Sequence, residues 1–342
     1  MQDRIAAGGE RMGCAKQYID IHIHVFGDNN GEGQCSLSPK MRGLCMAGTA
    51  FGFLANVPMS LNDEDVRDRI LDEIRSSKCV KQGVLLAFDK PYDAHGQPMQ
   101  PALYTPNNWV ATICSENPDC ALFGASVHPY RQDALKELAK VKKAGAVLVK
   151  WIPSSQNILP IHDLCRPFYK KLVELKLPLL CHVGDEHTIA EAGGDQSLKA
   201  NNHPELLIPA LDAGVTVIMA HCALPITDED NDFSEAFLRM MGQADARGWK
   251  LYADVSALVG GWKRSFMAKL MALRVPHDRL VMGSDWPNLP KLDNTFRTDG
   301  NSAEIRRIKA LENILDRNVE YLRFLGFSEV VMTNAAAVLG MA

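Results

Sequence analysis

The stretch of sequence that decides the fold is Tyr18-Ile19-Asp20-Ile21-His22-Ile23-His24-Val25-Phe26. Apolar residues alternate with Asp20, His22 and His24, which predicts a β-strand with these three polar side chains on one face. Burying a carboxylate and two imidazoles without partners would cost several kcal/mol. A metal ion removes that cost, because two neutral imidazoles one strand repeat apart can reach a single cation such as Zn²⁺. The alternative interpretation is a strand whose polar face is solvated.

Composition excludes several classes of protein. The chain has 342 residues, which is enough for a large core, and α/β barrels of this length often form one domain. Its 37 basic and 41 acidic residues give a formal net charge of -4. The chain therefore lacks the excess of positive charge that is typical of nucleic-acid-binding proteins. The longest apolar-rich run, residues 44–59, is too short and too often interrupted by Gly, Asn and Pro to cross a membrane. We therefore expect neither a nucleic-acid nor a membrane partner.

The cysteines and the N-terminus bear on the compartment. Nine scattered cysteines without a Cys-x-x-Cys pair predict reduced thiols and a cytoplasmic location. Residues 1–16 are polar and lack the apolar core of a signal peptide, so they are expected to form a flexible tail. Residues 17–342 are expected to form a single domain.

Apolar strands and amphipathic helices alternate along that domain at a spacing of roughly 30 residues, which indicates a parallel sheet. Eight such units close most naturally into a (β/α)₈ TIM barrel, whose active site lies at the C-terminal ends of the strands. An open doubly wound sheet is the alternative, but no Gly-rich dinucleotide fingerprint follows the first strand. The predicted strands are 18–26, 84–89, 122–127, 146–151, 177–182, 215–221, 251–255 and 280–285. The first two predicted helices begin after residues 60–63 and after residues 105–106. The other predicted helices are 133–145, 163–175, 204–213, 233–244, 262–273 and 303–325.

Residues 27–60 form a long insertion after the first strand, rich in Gly, Met and Cys. Long loops in compact domains are often functional, so one interpretation is a lid over the site. The other is a packed excursion or a subunit contact, and the apolar run 44–59 makes a homodimer contact plausible.

Polar side chains end five of the predicted strands. In a closed barrel these ends meet on one face, although they are spread over most of the sequence. One histidine at a strand end is more often a structural group than a ligand, but several together at this face indicate a functional site. They are His22 and His24 after the first strand, Lys150 on the fourth, His182 on the fifth, His221 on the sixth and Asp285 on the eighth.

This ordered set resembles the amidohydrolase superfamily, and most closely its amidohydrolase-related branch of (β/α)₈ metalloenzymes. The matching pieces are Asp20-Ile21-His22-Ile23-His24, Val149-Lys150 with Pro153 and Gln156, Cys181-His182, Ala220-His221-Cys222, Gly283-Ser284-Asp285-Trp286-Pro287 and Asn334-Ala335-Ala336-Ala337-Val338-Leu339-Gly340. By that resemblance His22, His24, His182 and Asp285 would hold one divalent metal ion, usually zinc. His221 would stand beside the metal-bound water or the substrate.

Asp285 and His221 are the catalytic candidates. Asp285 is suited to bind the metal and to accept the proton of a water whose pKa the metal lowers to about 7. His221 could orient that water, polarise the scissile carbonyl or stabilise the developing oxyanion.

Four residues are candidates for substrate contact. Lys150 matches the lysine that is carboxylated in binuclear members of the superfamily, and in one-metal members it would be an ammonium that binds an acidic substrate or neutralises a carboxylate. His128 ends the third strand, and Arg131 could clamp a carboxylate; both have structural alternatives. Trp286 follows Asp285 and would line the pocket or pack in the core.

The histidine set with Asp285 predicts a metal-dependent hydrolase that cleaves an amide, lactone or similar bond in a small carboxylic-acid-type substrate. The alternative is a zinc-dependent non-oxidative decarboxylase or hydratase, because the branch that the chain resembles contains such lyases. A barrel that keeps the metal only as structure is the third class, which an intact ligand set disfavours. The sequence carries no signal for the identity of the substrate.

Overall fold

The structure of the chain is a computed structural model that describes residues 17–28, 31–50, 54, 57–225, 232–258, 275–288 and 301–341. The predicted tail, 1–16, and the predicted helix, 262–273, lie outside the described residues.

Eight parallel strands form one sheet in which each strand pairs with the next along the chain. The first strand is also joined to the segment after the last one, because the Ile21 N–H donates to the Met282 carbonyl oxygen at 3.2 Å. The fold is therefore the predicted (β/α)₈ barrel. Its strands are β1 (Tyr18–His24), β3 (Val80–Leu86), β5 (Ala121–Ala125), β6 (Leu148–Trp151), β7 (Leu179–Cys181), β8 (Val217–Met219), β9 (Leu251–Asp254) and β10 (Leu280–Val281). A separate antiparallel pair consists of β2 (Ser36–Leu37) and β4 (Leu103–Tyr104).

Helices follow most strands, and a short pair ends the described chain. They are α1 (Pro39–Ala50), α2 (Asp63–Ser76), α3 (Asn107–Glu116), α4 (Ala134–Lys143), α5 (Pro153–Gln156), α6 (Cys165–Leu175), α7 (Ile208–Asp212), α8 (Ser234–Gln243), α9 (Ser302–Lys309), α10 (Ile314–Phe324), α11 (Glu329–Thr333) and α12 (Ala335–Val338). The single helix predicted over 303–325 is two helices. Asn313 caps the second, accepting hydrogen bonds from the N–H groups of Leu315 and Asp316 at 3.0 Å each. An N-cap residue has non-helical backbone, so the preceding helix ends before it.

The strands separate two apolar layers. One layer fills the barrel and includes Leu148 of β6 and Leu180 of β7, and the other lies between the sheet and the helices. Because side chains alternate along a strand, Lys150 and His182, two positions further on, face the same interior. The interior is therefore apolar in its middle and becomes polar at the C-terminal ends of the strands.

The first strand departs from the predicted period of two. Asp20 pairs with Gly83 and Ile23 pairs with Leu85, so β1 has one residue more than β3 between these pairs. Ile21 packs inside the barrel, whereas Ile23 packs in the outer layer, although strict alternation would put them on one side. This extra residue is a β-bulge, which turns the side chains that follow it.

Because of this bulge, the Asp20 side chain does not share a face with His22 and His24, so the prediction that all three lie on one face was wrong. The Asp20 carboxylate accepts hydrogen bonds from the backbone N–H groups of His22 and Ser284, at 3.0 Å each. Burial raises the pKa of Asp20 to about 7. Asp20 therefore supports the backbone around the histidines, and it does not join their side chains.

The expectations about thiols and membranes have different outcomes. Cys79 is in a disulfide, so the prediction that all thiols are reduced was wrong. The described cysteines that form no disulfide are all buried: Cys35, Cys45, Cys114, Cys120, Cys165, Cys181 and Cys222. Within the described ranges, no helix has the length and hydropathy needed to cross a bilayer. A cytoplasmic location stays a prediction.

We expect Asp316→Ala to lower the free energy of unfolding by about 2–4 kcal/mol, because it leaves backbone N–H donors without their acceptor. The Asp316 carboxylate on α10 accepts hydrogen bonds from the N–H groups of Lys78 and Cys79, just before β3, at 2.9 and 3.0 Å. Urea unfolding followed by circular dichroism measures the change. Asp163→Ala, at an exposed ion pair with Arg166, is the matched control and should leave the midpoint unchanged. Equal effects of the two substitutions would contradict this account.

Candidate metal centre

Side chains from opposite ends of the chain meet at the C-terminal mouth of the barrel. His22 comes from β1, His221 from the 3₁₀ turn Ala220–Ala223 after β8, and Asp285 from the segment after β10. One ligand atom of each lies within 4.8 Å of those of the other two, and all three side chains are buried. The predicted convergence of the strand ends is therefore present for these residues.

The shortest distances in the cluster involve His24 as well. The Nε2 atoms of His22 and His24 are 3.2 Å apart. Asp285 Oδ1 lies 3.1 Å from Nε2 of His24 and 3.3 Å from Nε2 of His22. Atoms bound tetrahedrally to one Zn²⁺ at about 2.0–2.1 Å would be about 3.3 Å apart. These three atoms are spaced as ligands of one divalent cation.

The hydrogen bonding of His22 shows which of its two ring nitrogens has a lone pair for a metal ion. Its Nδ1 lies 2.7 Å from Oδ2 of Asp254. Burial opposes ionisation of Asp254, but the adjacent His22 ring holds the pKa of this carboxyl below its usual range. An ionised carboxylate can only accept, so Nδ1 carries the proton and Nε2 presents a lone pair. That lone pair faces the Asp285 oxygen, and two acceptors at this distance repel each other unless positive charge lies near them. Two imidazoles and a carboxylate at this spacing are donors that fit a divalent metal ion.

His221 is held by both its backbone and its ring. Its φ of 58°, like those of Cys222 and Ala223, is left-handed, a conformation that non-glycine residues rarely adopt and that often marks functional sites. The His221 N–H donates to Asp254 Oδ1 at 2.8 Å, and the ring Nδ1 lies 3.1 Å from the Ser256 carbonyl oxygen. A carbonyl oxygen can only accept, so this ring also carries its proton on Nδ1 and presents a lone pair on Nε2.

Asp285 is ionised and oriented. Burial opposes its ionisation, but the neighbouring His22 and His221 rings hold its pKa well below the usual range. The Asn288 side-chain amide donates to Oδ2 at 2.6 Å, which leaves Oδ1 toward the histidines. The carboxylate can therefore act as a metal ligand through one oxygen and accept hydrogen bonds at the other.

Lys150 brings a positive charge to the same cluster. Its side chain is buried, and Nζ lies 3.1 Å from Nε2 of His22. Burial lowers the pKa of this amine, although Asp254 and Asp285 act in the opposite direction. Burial and the Lys150 charge also lower the pKa of His22, which favours the neutral ring that a metal requires.

His182, a predicted ligand, lies at the edge of the cluster. Its ring centroid is 5.1 Å from that of His221, and its Nδ1 is 3.5 Å from Oε2 of Glu186. The structure thus brings His182 to the site, and its binding of the metal stays a prediction.

Two predicted substrate contacts have partners within the protein. His128 is fully buried; its Nε2 lies 2.7 Å from the Gln156 carbonyl oxygen, and its N–H donates to Asp89. Burial lowers the pKa of this ring to about 3. Arg131 forms ion pairs with Asp89 and Asp133 at 3.1 and 2.9 Å. These contacts favour the structural alternatives for both residues.

The other two candidates differ from each other. Trp286 is buried and stacks on Phe26 with ring centroids 6.0 Å apart, which is the packing alternative. Lys150 lies beside the cluster, next to His22, and is not among the residues that line the pocket described below.

Sequence reasoning missed Asp254, Ser256 and Glu186, which contact the histidines. Asp254 ends β9 and lies two positions after Tyr252, whose side chain packs on the barrel interior. The sequence signal that could have identified Asp254 is its position as a carboxylate at the C-terminal end of a predicted barrel strand. Glu186 and Ser256 follow β7 and β9, in loops whose side-chain directions have no periodic pattern.

A pocket opens over the cluster. Its polar lining, called the polar floor below, consists of His24, His182, Glu186, Thr188, His221, Asp285 and Asn288. Its walls are largely apolar and come from several elements: Phe26, Met41, Cys45, Leu54, Leu103, Ile152, Ile189 and Pro287. Among the described residues that line it, none is a lysine or an arginine. Because Met41 and Cys45 belong to α1, this helix of the insertion lines the pocket. The interpretation of the insertion as a lid stays a prediction, as does that of a packed excursion.

Solved structures share the fold over almost the whole chain. A protein from Pseudomonas putida, provisionally named 2-pyrone-4,6-dicarboxylic acid hydrolase, is 18% identical with a TM-score of 0.54, over 95% of this chain and 97% of that one. The 2,6-dihydroxybenzoate decarboxylase from Rhizobium is 14% identical with a TM-score of 0.52, over 95% and 99%. A 5-carboxyvanillate decarboxylase from Novosphingobium aromaticivorans, with bound manganese, is 13% identical with a TM-score of 0.50, over 95% and 97%. At these identities the likeness shows the fold alone.

No curated protein matches the sequence significantly. The family model described as Amidohydrolase matches residues 88–305, well over half of the chain. The match starts after β1 and includes the strand ends with Lys150, His182, His221 and Asp285. The chain therefore belongs to this amidohydrolase family.

Proposed function

We propose that the chain is a metal-dependent hydrolase that binds one divalent ion, zinc, through His22, His24, His182 and Asp285. The observation that carries the proposal is the spacing of 3.1–3.3 Å among the ligand atoms of His22, His24 and Asp285 at the mouth of the barrel. A bound divalent ion would supply Lewis acidity, which polarises a carbonyl and lowers the pKa of water. The reaction is the cleavage of an amide, lactone or similar bond of a small carboxylic acid derivative.

Asp285 is the proposed proton acceptor. Its carboxylate is ionised, and the Asn288 amide holds one oxygen while the other faces the histidines. A carboxylate held in this way can take the proton of the attacking water and later return it to the leaving group.

His221 is the proposed stabiliser of the reacting carbonyl. Its backbone and Nδ1 are held by Asp254 and Ser256, so Nε2 points to a fixed place beside Asp285. In the neutral ring this nitrogen accepts a hydrogen bond from water; in the protonated ring it donates one to the developing oxyanion.

The pocket supports a substrate with an apolar body. Apolar side chains from the segment after β1, from α1 and β4, and from the loops after β6 and β7 line the pocket beside the polar floor. Each CH₂ of substrate that these walls remove from water contributes about 0.8 kcal/mol to binding. We therefore propose a small ester, lactone or amide with an alkyl or aryl group next to the scissile bond.

Non-oxidative decarboxylation is a second candidate, favoured by the same walls. A substrate carboxylate enclosed by apolar side chains loses hydration, and its departure as CO₂ removes that unfavourable charge. This reaction would use the same metal centre, with His221 or Asp285 delivering the proton that replaces the carboxylate.

We expect about one zinc or other divalent ion per chain, measured by elemental mass spectrometry on protein purified without chelators or a metal-affinity tag. His24→Ala should weaken zinc binding by at least about 100-fold, because it removes a ligand. His95→Ala, at an exposed histidine, is the control and should bind as the wild type does. Two ions per chain would indicate a carboxylated Lys150. No metal, even after incubation with Zn²⁺ or Mn²⁺, would contradict the metalloenzyme proposal.

We expect Asp285→Asn and His221→Asn each to lower kcat by about 10²–10⁴-fold, because each removes a proton-transfer or charge-stabilising group. KM should change much less than kcat, because neither side chain forms the apolar walls. Steady-state kinetics measures both, with zinc content determined for each variant. Asp163→Asn, at an exposed carboxylate, is the control. Wild-type kcat in either site variant would refute that residue's role.

A product assay separates the two reactions. We expect turnover of esters, lactones or amides with apolar groups, with one ¹⁸O atom from H₂¹⁸O in the acid product, because water is the nucleophile. In parallel, a panel of aromatic and unsaturated carboxylic acids is tested for release of CO₂. Release of CO₂ without incorporation of ¹⁸O into any product would replace the hydrolase proposal by the decarboxylase. Asp285→Asn, loaded with metal, serves as the control for background hydrolysis.

A further inference from the structure

We propose that Asp254 is a positioning residue of the metal centre, because one carboxylate holds both His22 and His221 and fixes the nitrogen that each ring offers. The proposal rests on the proposed metal-dependent function and adds a residue outside the ligand set. Asp254 is fully buried at the end of β9, between the two histidines that come from β1 and from the turn after β8.

The two oxygens of Asp254 have different partners. Oδ2 lies 2.7 Å from the ring Nδ1 of His22. Oδ1 accepts hydrogen bonds from the backbone N–H groups of His221 and Ser256, at 2.8 and 3.1 Å. One side chain therefore determines both a ring orientation on β1 and a backbone conformation after β8.

Only a carboxylate satisfies these contacts. The ring Nδ1–H of His22 and the N–H groups of His221 and Ser256 all donate, so every group that faces Asp254 needs an acceptor. An asparagine of the same shape would place its NH₂ against one of these donors. If the amide oxygen faced His221, the amide NH₂ would face Nδ1 of His22, whose proton would keep only Ser256 Oγ, 3.1 Å away, as an acceptor. The His22 ring would then favour a proton on Nε2, the atom that points into the cluster. A proton on Nε2 excludes a metal ion.

Ser256 extends the arrangement to the ring of His221. Its Oγ lies 2.5 Å from Asp254 Oδ1 and 2.9 Å from Nδ1 of His221. The single hydroxyl hydrogen is donated to the carboxylate, so Oγ can accept from the His221 Nδ1–H, as the Ser256 carbonyl oxygen also does. Asp254 thus orients both rings with Nε2 toward the metal position.

The test compares zinc affinity in Asp254→Asn and Asp20→Asn by competition with a chromophoric chelator. Asp20 is the matched control, because it is also buried and close to His22, but both of its backbone hydrogen bonds end on Oδ1, which an amide oxygen replaces. We expect Asp254→Asn to bind zinc about 10- to 100-fold more weakly than the wild type, and Asp20→Asn to stay within about threefold. Equal losses would reflect the removal of buried negative charge in general and would overturn the proposal.

Imidazole nitrogen shifts provide a second readout that a merely structural role would not change. Long-range ¹H–¹⁵N spectra of the wild type should show His22 and His221 protonated on Nδ1 before as well as after zinc is bound, with assignments from His→Gln variants. The metal-free protein is the decisive one, because zinc on Nε2 of His22 would itself fix the proton on Nδ1. This measurement needs no Asp254 variant, so it decides the matter even where Asp254→Asn does not fold. A proton on Nε2 of His22 would overturn the proposal. In Asp254→Asn the His22 pattern should change, while that of His162 should not.

The outcomes separate the two proposals. If the wild type binds no zinc or other divalent ion, the proposed function fails, and this inference fails with it. If the wild type binds zinc and Asp254→Asn binds equally well with unchanged tautomers, only the role of Asp254 is refuted.

Discussion

Backbone pairing between the first strand and the segment after the last strand is the constraint on which the site depends. The His24 N–H donates to the Trp286 carbonyl oxygen at 3.1 Å, and the Asp285 N–H donates to the His22 carbonyl oxygen at 2.9 Å. These bonds join the two ends of the barrel and place Asp285 beside both histidines. β1 alone supplies two of the three closely spaced candidate ligand atoms, so the candidate metal centre assembles only when the barrel closes. Such contacts between distant residues form late, because loop closure precedes them.

The regular part of the fold could be predicted from the sequence, and the irregular part could not. Alternation and apolar runs predicted eight strands, and their C-terminal ends correctly brought His22, His24, His221 and Asp285 together. The β-bulge in β1 was missed because it depends on the pairing with β3, where Gly83 and Leu85 are the partners. Nothing in the local sequence distinguishes a strand with an extra residue from one without it.

The residues that support the histidines were also beyond local patterns. Asp254 lies in a predicted strand, but its importance comes from His22 and His221, which reach it from other strands. The helix break at Asn313, between α9 and α10, could not be predicted for a similar reason. From the local sequence, a polar residue can either face solvent within a helix or cap a new one. A strand-end carboxylate is a usable signal once the fold is assumed to be a barrel. Its partner becomes visible only in three dimensions.

Charge balance accounts for a buried lysine beside the candidate metal centre. Asp254 and Asp285 are both buried, and burial opposes their ionisation while the adjacent histidine rings lower both pKa values. Two ionised carboxylates without a compensating charge would be strongly unfavourable in this environment. The Lys150 ammonium, 3.1 Å from His22, offsets one of these charges, so the site retains one negative charge that attracts a divalent cation. Carboxylation of Lys150 would instead replace this positive charge by a third negative charge, and a second divalent ion would be needed to reach the same net charge as in the one-metal site. An unmodified Lys150 and one metal ion are therefore consistent with each other, as are a carboxylated Lys150 and two ions.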